Sequence, residues 1–525
     1  MNYRSLQDGG LAVREHVVLV GPNASGKSSI LFVAALVLGV GSELSKVSVQ
    51  DFKDPTQPLV LDALLTNLDE VDRGAFPDEV EVEGGTTTLR VRVQAEVDPA
   101  DPDTTLAVTR FFPDAGHSRR PSSVQVARLG FLQLAASRSM GRELAGAQGV
   151  ARTLVRNLDV SGDAEGLEAG LAQVRAVLAG SGVIGGFREQ LADRLSESLP
   201  TPVTKNDVKL VLSSDLSDSP LAGTIMTLRD MSGDRALTEH SDGVQALAVT
   251  ALMGMDAQRT GRIVAVDEPE THLHPTAQRA LVQRLLKGTA QQLMATHSSA
   301  VAAAAQPQQL ATIDRSGVVR QLPEGAPVSG ALQLLRDYRQ GLVEPLTSRL
   351  VVIVEGDADR ITVEAIARAG GIDLARMDVA LFQLDGSGGF SSAWNFFGSP
   401  GLGMHVRAIC DEDAREDWAG ALGVSPGDLA ASGVLVLNPD LEAVYVDQLG
   451  HERVVQLVQS AGLITERKFC GKISATTFAE VDRDDVVTAC RANKTAAAAS
   501  LAVGLTEADT QQLRTLLDFL AGLAS

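Results

Sequence analysis

Two groups of residues in this sequence could do chemistry on phosphates. The first group opens with the loop from Gly21 to Ser28, which fits the pattern G-x-x-x-x-G-K-[ST]. In such a loop backbone N–H groups wrap the phosphates of a nucleotide, a lysine reaches the β- and γ-phosphates, and a hydroxyl ligates Mg²⁺. The loop therefore predicts an ATP site, with Ser28 on the metal ion. The predicted ligands are Gly21, Asn23, Gly26, Lys27, Ser28 and Ser29.

An apolar segment that ends in two acids is expected to complete this nucleotide site. The segment from Ile263 to Val266 is followed directly by Asp267 and Glu268. A buried strand of this kind delivers its acids to the carboxyl end of a sheet, where Asp267 can hold Mg²⁺ and Glu268 can orient or deprotonate water. His297 follows a second apolar segment, and we expect it at the tip of the neighbouring strand, within reach of a γ-phosphate.

The second group consists of acids that follow two other apolar segments. Glu355 comes after a run of β-branched residues, with Asp359 four positions later, and Asp411 and Asp413 follow the next such run. Side chains at i and i+2 of an extended segment point the same way, so Asp411 and Asp413 can share a cation. Clustered carboxylates need cations to stay ionised, and hard oxygen ligands select Mg²⁺ or Mn²⁺. This pattern indicates phosphoryl-transfer chemistry.

Two downstream residues extend this acidic site. Glu442 could supply a further carboxylate to the metal ions. A basic stretch contains Lys468 and Lys472, and we prefer Lys472 as the cation beside a cleaved phosphate.

Strands and helices are needed to bring these residues together. The segment from His16 to Val20 is predicted to be a strand, and Ser28 to Leu38 a helix. The alternation of strand-like and helical stretches predicts an α/β protein, with a strand-rich part between Leu59 and Arg110 and a helical hairpin near 163–198. We divide the chain into residues 1–154, 155–205, 206–340 and 341–525.

Composition limits the possible classes of protein. With 525 residues the chain has room for about three domains. The charge of −20 argues against diffuse attraction to nucleic acid or to an anionic membrane, so a nucleic acid must be bound by a local patch or through metal ions. Three cysteines argue against a disulfide framework and favour the cytoplasm. We find no membrane-spanning segment and no secretion signal. The local patch could come from Arg453, Arg467, Lys468, Lys472, Arg483, Arg491 and Lys494.

The nucleotide-site residues resemble those of the ABC-type ATPases of the SMC and RecF kind. The segment from Asn2 to Leu6 is also similar to the stretch that precedes the phosphate loop in RecF-like proteins. The resemblance implies a signature motif, loosely matched by 240–245 without the usual double glycine, which would complete the nucleotide site of a second subunit. ATP hydrolysis would then need a dimer. The implied signature residues are Ser241, Gly243 and Gln245.

The acidic residues resemble those of the Toprim domain, and the whole chain resembles the overcoming lysogenization defect (OLD) family of nucleases. Carried over to this sequence, the expected metal ligands are Glu355, Asp359, Asp411 and Asp413. The resemblance implies an SMC/RecF-like ATPase with a helical dimerisation insertion at 155–205, followed by a Rossmann-like Toprim domain. It also implies metal-dependent DNA cleavage, a role in phage defence or DNA processing, and a separately encoded helicase as the kind of partner to look for.

Two details bear on how closely the chain follows that family. Arg138 and the three residues before it are similar to a segment where the family often carries an arginine. Met1 falls where the family's first strand should already have passed, which predicts either a start further upstream or a missing strand.

Several alternatives stay open at this stage. A topoisomerase-like reaction needs a tyrosine nucleophile, for which Tyr445 lies in the right region, and the other tyrosines are Tyr3 and Tyr338. An ATP-dependent clamp or repair scaffold needs no cleavage at all. A partner-activated effector with RNA as its substrate also stays open, because a metal site that attacks phosphates does not specify the sugar. His272 and His274 are expected to shape a loop rather than to bind zinc.

Overall fold

A computed structural model of the chain describes most of its residues. The described residues are 2–39, 41–83, 85–97, 106–114, 119–134, 173, 176–177, 179–199, 201–212, 224–230, 233–236, 239–241, 243–245, 247, 263–271, 273–288, 290–326, 342–384, 386, 389–399 and 401–523. They form two compact units, residues 1–305 with 309–319, and 306–308 with 320–525. The four ranges predicted from the sequence divide the chain more finely and stay predictions.

The first unit contains three sheets and several helices. Its strands are β1 (His16–Val20), β2 (Leu59–Thr66), β3 (Val80–Glu83), β4 (Thr86–Val97), β5 (Leu106–Phe111), β6 (Phe131–Leu134), β7 (Val208–Leu212), β8 (Thr224–Asp230), β9 (Gly233–Ala236), β10 (Ile263–Asp267), β11 (Gln292–Thr296), β12 (Leu310–Ile313) and, at its end, β13 (Val319–Gln321). Its helices are α1 (Lys27–Leu38), α2 (Glu70–Ala75), α3 (Ser123–Leu129), α4 (Gly182–Ser196), α5 (Pro275–Leu285) and α6 (Ser299–Ala302). Short 3₁₀ helices occupy Gly41–Lys46 and Val49–Asp51. A further one, Pro307–Gln309, has its first two residues in the second unit.

The main sheet of this unit carries the nucleotide-site segments. Its strand order is β13-β12-β1-β11-β10-β6, and β11 pairs in parallel with both β1 and β10. All residues of β1 and β11 are buried, as expected for parallel strands covered on both faces. The carboxyl ends of β1, β11 and β10 therefore lie side by side, which brings the phosphate loop, His297 and Asp267 to one edge.

Helix α1 connects the main sheet to the antiparallel sheet of β2, β3, β4 and β5. Leu31 and Leu36 of α1 share one core with Val17 of β1 and Val91 of β4. The buried Arg110 of β5 donates from Nε to the carbonyl of Leu36, 3.0 Å away, and from Nη1 to that of Gly39, 2.6 Å away. These bonds satisfy carbonyls at the end of α1 that have no partner within the helix. The strand-rich part predicted between Leu59 and Arg110 is thus confirmed.

The second unit is built on a four-stranded parallel sheet. Its strands are β14 (Leu350–Val354), β15 (Val379–Gln383), β16 (His405–Asp411) and β17 (Val434–Leu437), in the order β15-β14-β16-β17. Its helices are α7 (Val343–Thr347), α8 (Asp357–Ala369), α9 (Phe390–Phe397), α10 (Arg415–Leu422), α11 (Leu441–Leu449), α12 (His451–Ala461), α13 (Glu466–Phe469), α14 (Arg483–Ala492), α15 (Lys494–Gly504), α16 (Glu507–Thr510) and α17 (Arg514–Gly522). Short 3₁₀ helices occupy Glu412–Ala414, Pro426–Asp428 and Cys470–Lys472.

The core of this second unit forms between the sheet and the helices that follow it. Val352 and Val354 of β14 are fully buried, and they pack in one cluster with Val363 of α8 and Leu501 of α15. The α/β class predicted from the sequence is confirmed.

Two further observations complete the fold. Among the residues that the structure describes, no helix is both long and apolar enough to cross a membrane. Helix α4 lies in the predicted helical hairpin, whereas the segment 135–172, which includes Arg138 and the first part of the predicted insertion, lies outside the described residues.

Candidate nucleotide and metal sites

The phosphate loop connects β1 to α1, and its glycines are required by close packing. Gly26 has φ of 108°, in the left-handed region, and a Cβ there would lie 2.8 Å from Cδ2 of Leu6. A Cβ on Gly21 would lie 2.6 Å from the carbonyl oxygen of Ile313 on β12. A side chain at Gly21 would clash with the backbone of β12, and one at Gly26 would strain the left-handed backbone. The backbone N–H groups at the start of α1 thus face the space where phosphates would bind.

Lys27 and Ser28 follow the glycines of the phosphate loop and lie near the acids of β10. Nζ of Lys27 donates to the carbonyls of Gly21 and Pro22, each 2.8 Å away. Burial lowers the pKa of Lys27, although Glu268 and Asp267 act in the opposite direction. Ser28 makes a side-chain hydrogen bond to Asp267, and burial raises the pKa of that carboxyl. The hydroxyl and the carboxylate proposed for Mg²⁺ are therefore adjacent.

His297 follows β11 and lies between the phosphate loop and the end of β10. Its Nδ1 is 3.6 Å from Oε1 of Glu268 and 3.4 Å from Oε1 of Glu270. Glu268 adopts a left-handed φ of 50°, and its N–H donates to the carbonyl of Ala295 in β11. The sequence analysis overlooked Glu270, whose only signal was its position two residues after Glu268.

The remaining predicted nucleotide ligands lie in different environments. Asn23 is exposed in the phosphate loop, whereas Ser29 is buried and accepts a hydrogen bond from Arg4, 3.3 Å away. In the segment resembling a signature motif, Ser241 is exposed and Gly243 begins a helical turn. Gln245 is buried, and its Nε2 donates to the carbonyl of His240, 2.8 Å away.

The two histidines of the loop after β10 are not placed alike. The ring of His274 accepts from the N–H of Thr276 and caps α5. His272 lies outside the described residues.

The acidic site lies at the carboxyl edge of the second unit's sheet. Strands β14 and β16 are parallel neighbours, and Glu355 follows the first while Asp411 ends the second. Glu355, Asp411 and Asp413 each offer a carboxylate oxygen, and these atoms lie within 4.8 Å of one another. The N–H of Asp411 donates to Oε1 of Glu355, 2.8 Å away, which holds the two strand ends together.

Asp413 reaches this cluster by a different geometry from the one predicted. The segment after Asp411 turns into the 3₁₀ helix Glu412–Ala414 instead of staying extended, and Asp413 is exposed on that turn. The i, i+2 argument for an extended chain therefore does not apply, although the two carboxylates still come together.

Asp359 and Glu442 enlarge the cluster. Asp359 lies in the first turn of α8, and burial together with Glu355 and Glu442 raises its pKa to about 6. Burial, Glu355 and Asp359 raise the pKa of Asp411 to about 8. Burial also raises the pKa values of Glu355 and Glu442. Mutually destabilised carboxylates of this kind are suited to hard divalent cations, so the donor set fits Mg²⁺ or Mn²⁺.

A short segment before α11 supports both Asp411 and Glu442. The N–H of Leu441 donates to Oδ1 of Asp411, 3.0 Å away, and Glu442 follows in the first turn of α11. Asp440 caps the helix and pairs with Nε of Arg491, 2.7 Å away. Arg491 therefore acts on the site through Asp440.

The lysine that the structure brings to the carboxylates is Lys494. Its Nζ lies 3.6 Å from Oε2 of Glu442 and 3.9 Å from Oδ2 of Asp411. Burial alone would lower the pKa of Lys494, but Glu442, Asp411 and Asp359 raise it overall. Lys472 is exposed at the end of a 3₁₀ helix, and within the described residues its side chain makes no hydrogen bond or ion pair. The role assigned to Lys472 stays a prediction.

Most of the arginines proposed for a basic patch are paired with acids. The pairs are Arg453 with Asp509, Arg483 with Asp447 and Asp484, and Arg491 with Asp440. The positive charge of this patch is therefore largely balanced within the second unit.

The tyrosines bear on the topoisomerase-like alternative. Tyr445 and Tyr3 are 1% and 0% exposed, so neither hydroxyl is presented to a polymer in solution. Tyr338 lies outside the described residues.

Two family models match separate parts of the chain. A family model described as "AAA domain, putative AbiEii toxin, Type IV TA system" matches residues 17–303, and "Overcoming lysogenization defect protein-like, TOPRIM domain" matches residues 346–413. No curated protein matches the chain.

Several solved structures resemble parts of the chain. The C-terminal region of the Burkholderia pseudomallei OLD protein is 18% identical, with 34% of this chain and 99% of that chain covered and a TM-score of 0.27. The corresponding region from Xanthomonas campestris pv. campestris is 20% identical, with 34% and 94% covered and a TM-score of 0.26. The Smc head domain from Pyrococcus furiosus, bound to the C-terminal domain of ScpA, is 14% identical, with 65% and 98% covered and a TM-score of 0.38.

One family model matches most of the first unit, and the other matches a part of the second. The ATPase model includes the phosphate loop, Asp267 and His297, and the Toprim model includes Glu355, Asp359, Asp411 and Asp413. With an AAA-type ATPase domain followed by an OLD-like Toprim domain, the chain belongs to the OLD family of ATPase–Toprim proteins.

Proposed function

We propose that this protein is an ATP-hydrolysing, divalent-metal-dependent DNA endonuclease that acts in phage defence or DNA processing in the cytoplasm. The observation that carries the proposal is the convergence of Glu355, Asp411 and Asp413, whose oxygens lie within 4.8 Å of one another at a sheet edge. Such a cluster is costly to maintain without a function, because mutual repulsion and burial oppose its ionised state.

The carboxylates divide into two neighbouring groups. Glu355, Asp411 and Asp413 would hold one cation. Asp359 and Glu442, whose charges act on each other, would hold a second. Two such cations supply an activated water and charge stabilisation of the leaving oxygen. Strand β16 and the N–H of Leu441 hold Asp411 in a fixed position among the other carboxylates.

Lys494 is the cation of this chain that we assign to the reacting phosphate. Its side chain is half exposed, so Nζ can leave Glu442 and donate to a phosphate oxygen. Lys472 would then contribute at most to the binding of more distant phosphates.

ATP is proposed to act at the first unit. Lys27 would exchange a loop carbonyl for the β- and γ-phosphates, Ser28 and Asp267 would hold the Mg²⁺ that accompanies ATP, and Glu268 would orient the attacking water. His297 would contact the γ-phosphate. A second copy of the chain would contribute Ser241, Gly243 and the segment around Gln245, so we propose a homodimer as the hydrolysing form.

The test is cleavage of supercoiled plasmid, linear duplex and structured RNA with Mg²⁺ or Mn²⁺, with and without ATP. Nicked or linear DNA from the wild type and from Asp417→Asn, but not from Asp411→Asn, would support the proposal, since Asp417 is an exposed acid of α10. Cleavage of RNA alone would favour an RNA nuclease. If no nucleic acid is cut while ATP is hydrolysed, a clamp or scaffold replaces the nuclease.

A second experiment tests ATP hydrolysis and its effect on cleavage. Lys27→Ala should abolish ATP hydrolysis, and its effect on cleavage shows whether ATP activates or restrains the nuclease. An unchanged rate of ATP hydrolysis in Lys27→Ala would refute the nucleotide site.

A further inference from the structure

Glu270 is a buried acid beside the predicted γ-phosphate sensor. It is 5% exposed, and its Oε1 accepts hydrogen bonds from Oγ1 of Thr296, 2.6 Å away, and from the N–H of His297, 3.0 Å away. The same oxygen lies 3.4 Å from Nδ1 of the His297 ring. One carboxylate thus contacts both the backbone and the ring of the histidine segment.

A closed ring of hydrogen bonds ties this contact to α5. Oγ1 of Thr296 accepts from the N–H of Ser298, 2.9 Å away, and Oγ of Ser298 donates to Oε1 of Gln278, 2.8 Å away. Nε2 of Gln278 donates back to the carbonyl of Glu270, 3.2 Å away. The loops after β10 and β11 therefore cannot move independently without breaking a buried hydrogen bond.

Structural support alone does not require a carboxylate at this position. A neutral amide oxygen could accept from Thr296 and from the N–H of His297 equally well. Oε2 of Glu270 is buried and has no hydrogen-bond partner among the described residues, and burying a carboxylate in this way is costly. What the charge adds is a stronger attraction to an N–H donor of the neighbouring His297 ring than a neutral amide would give.

We propose that Glu270 is a positioning residue for ATP hydrolysis, acting through His297. Its carboxylate, 3.4 Å from Nδ1 of His297, holds the ring turned towards the acids, so that Nε2 is directed to the opposite side of the ring. Glu268 lies 3.6 Å from the same Nδ1, and the ring therefore links the water-orienting acid to the nucleotide's terminal phosphate. This role rests on the ATP hydrolysis proposed above.

The test is a double-mutant cycle on the full-length chain, with steady-state ATP hydrolysis and ATP affinity measured for each variant. The variants are Glu270→Gln, His297→Ala and the double substitution, with Glu81→Gln as the control. Glu81 is an exposed acid of β3, away from the phosphate loop, and its substitution should leave the rate unchanged. Glutamine keeps an oxygen for Thr296, which separates loss of charge from loss of the hydrogen-bond ring.

Glu270→Gln should lower kcat on the order of ten- to a hundredfold, the loss typical of a misplaced catalytic group, with ATP affinity little changed. In the His297→Ala background the same substitution should have almost no further effect, because the group through which Glu270 acts is gone.

Other outcomes would overturn the role. If Glu270→Gln lowered kcat by the same factor in the wild-type and in the His297→Ala background, Glu270 would be a structural residue only. If kcat of Glu270→Gln were unchanged, Glu270 would have no role in the reaction. A wild-type rate no higher than that of Lys27→Ala would refute ATP hydrolysis itself, and the positioning role with it.

Discussion

Replacing Asp411 by asparagine is expected to stabilise the metal-free protein at neutral pH. In the folded chain burial, Glu355 and Asp359 raise the pKa of Asp411 from 3.8 to about 8. A carboxyl whose pKa is raised by folding loses its proton first in the unfolded chain, so stability falls as pH rises from 3.8 to about 8. Asparagine stays neutral throughout, and its Oδ1 can still accept from the N–H of Leu441.

The size of the expected stabilisation follows from the shift in the pKa of Asp411. One pKa unit corresponds to about 1.4 kcal/mol, so the interval from 3.8 to neutral pH gives a ceiling of about 4 kcal/mol for Asp411. The neighbouring carboxyls share this repulsion, and removing one of them relieves only part of it. We expect a gain of about 2 kcal/mol near pH 7, or about 4–8 °C in melting temperature, and less than about 1 kcal/mol near pH 5.

The assay is thermal unfolding in EDTA at about pH 5 and about pH 7 for wild type, Asp411→Asn and the control Asp417→Asn. Added Mg²⁺ should raise the melting temperature of the wild type and of the control, because a ligand that binds the folded chain stabilises it, but not that of Asp411→Asn. The electrostatic argument would be refuted if the melting temperature of Asp411→Asn in EDTA near pH 7 were equal to or lower than that of the wild type. It would also be refuted if the gain in melting temperature did not grow with pH.

Three other substitutions test separate parts of the structure. Lys494→Met should lower the rate of DNA cleavage by roughly 10²-fold or more, the loss expected for a group that stabilises developing charge. Lys472→Met, the comparison variant, should have a much smaller effect. The reverse order of the two effects in a plasmid cleavage assay would restore Lys472 as the catalytic cation. Arg110→Leu leaves the carbonyls of Leu36 and Gly39 without their donor and should lower the free energy of unfolding by about 2–4 kcal/mol, and an unchanged urea midpoint would contradict this. Gly26→Ala should weaken ATP binding about tenfold or more through backbone strain, which ATP titration checks against wild-type affinity.

The parts of the fold that sequence predicts well are those controlled by local pattern. Four consecutive apolar residues followed by acids occur before Asp267 and before Glu355, and both runs form buried parallel strands. Because parallel strands place their carboxyl ends at one edge, the pattern was enough to bring Glu355 next to Asp411. The phosphate loop is equally local, because its glycines and Lys27 are close together in the sequence.

Residues that reach a site from distant segments were predicted less well. Lys494 starts α15, 83 positions after Asp411, and the sequence offered seven basic residues without a criterion to choose between them. The choice depends on how α14 and α15 pack behind the sheet, where Ala497 and Leu501 are buried. Glu270 was overlooked for a related reason, because its contact with His297 depends on the pairing of β10 with β11.

Charge balance in the second unit limits the free positive charge that arginines can bring to the predicted patch. Arg453 and Arg491 lie close in sequence to Lys468 and Lys472, but each is paired with an acid, and Arg491 supports Asp440 at the entrance to α11. A chain of net charge −20 whose arginines are paired in this way has little free positive charge to offer a phosphate backbone. Under the proposed function, attraction of DNA to the acidic edge must therefore come mainly from the bound cations and Lys494. The same cations that complete the reaction would then control whether the substrate binds at all.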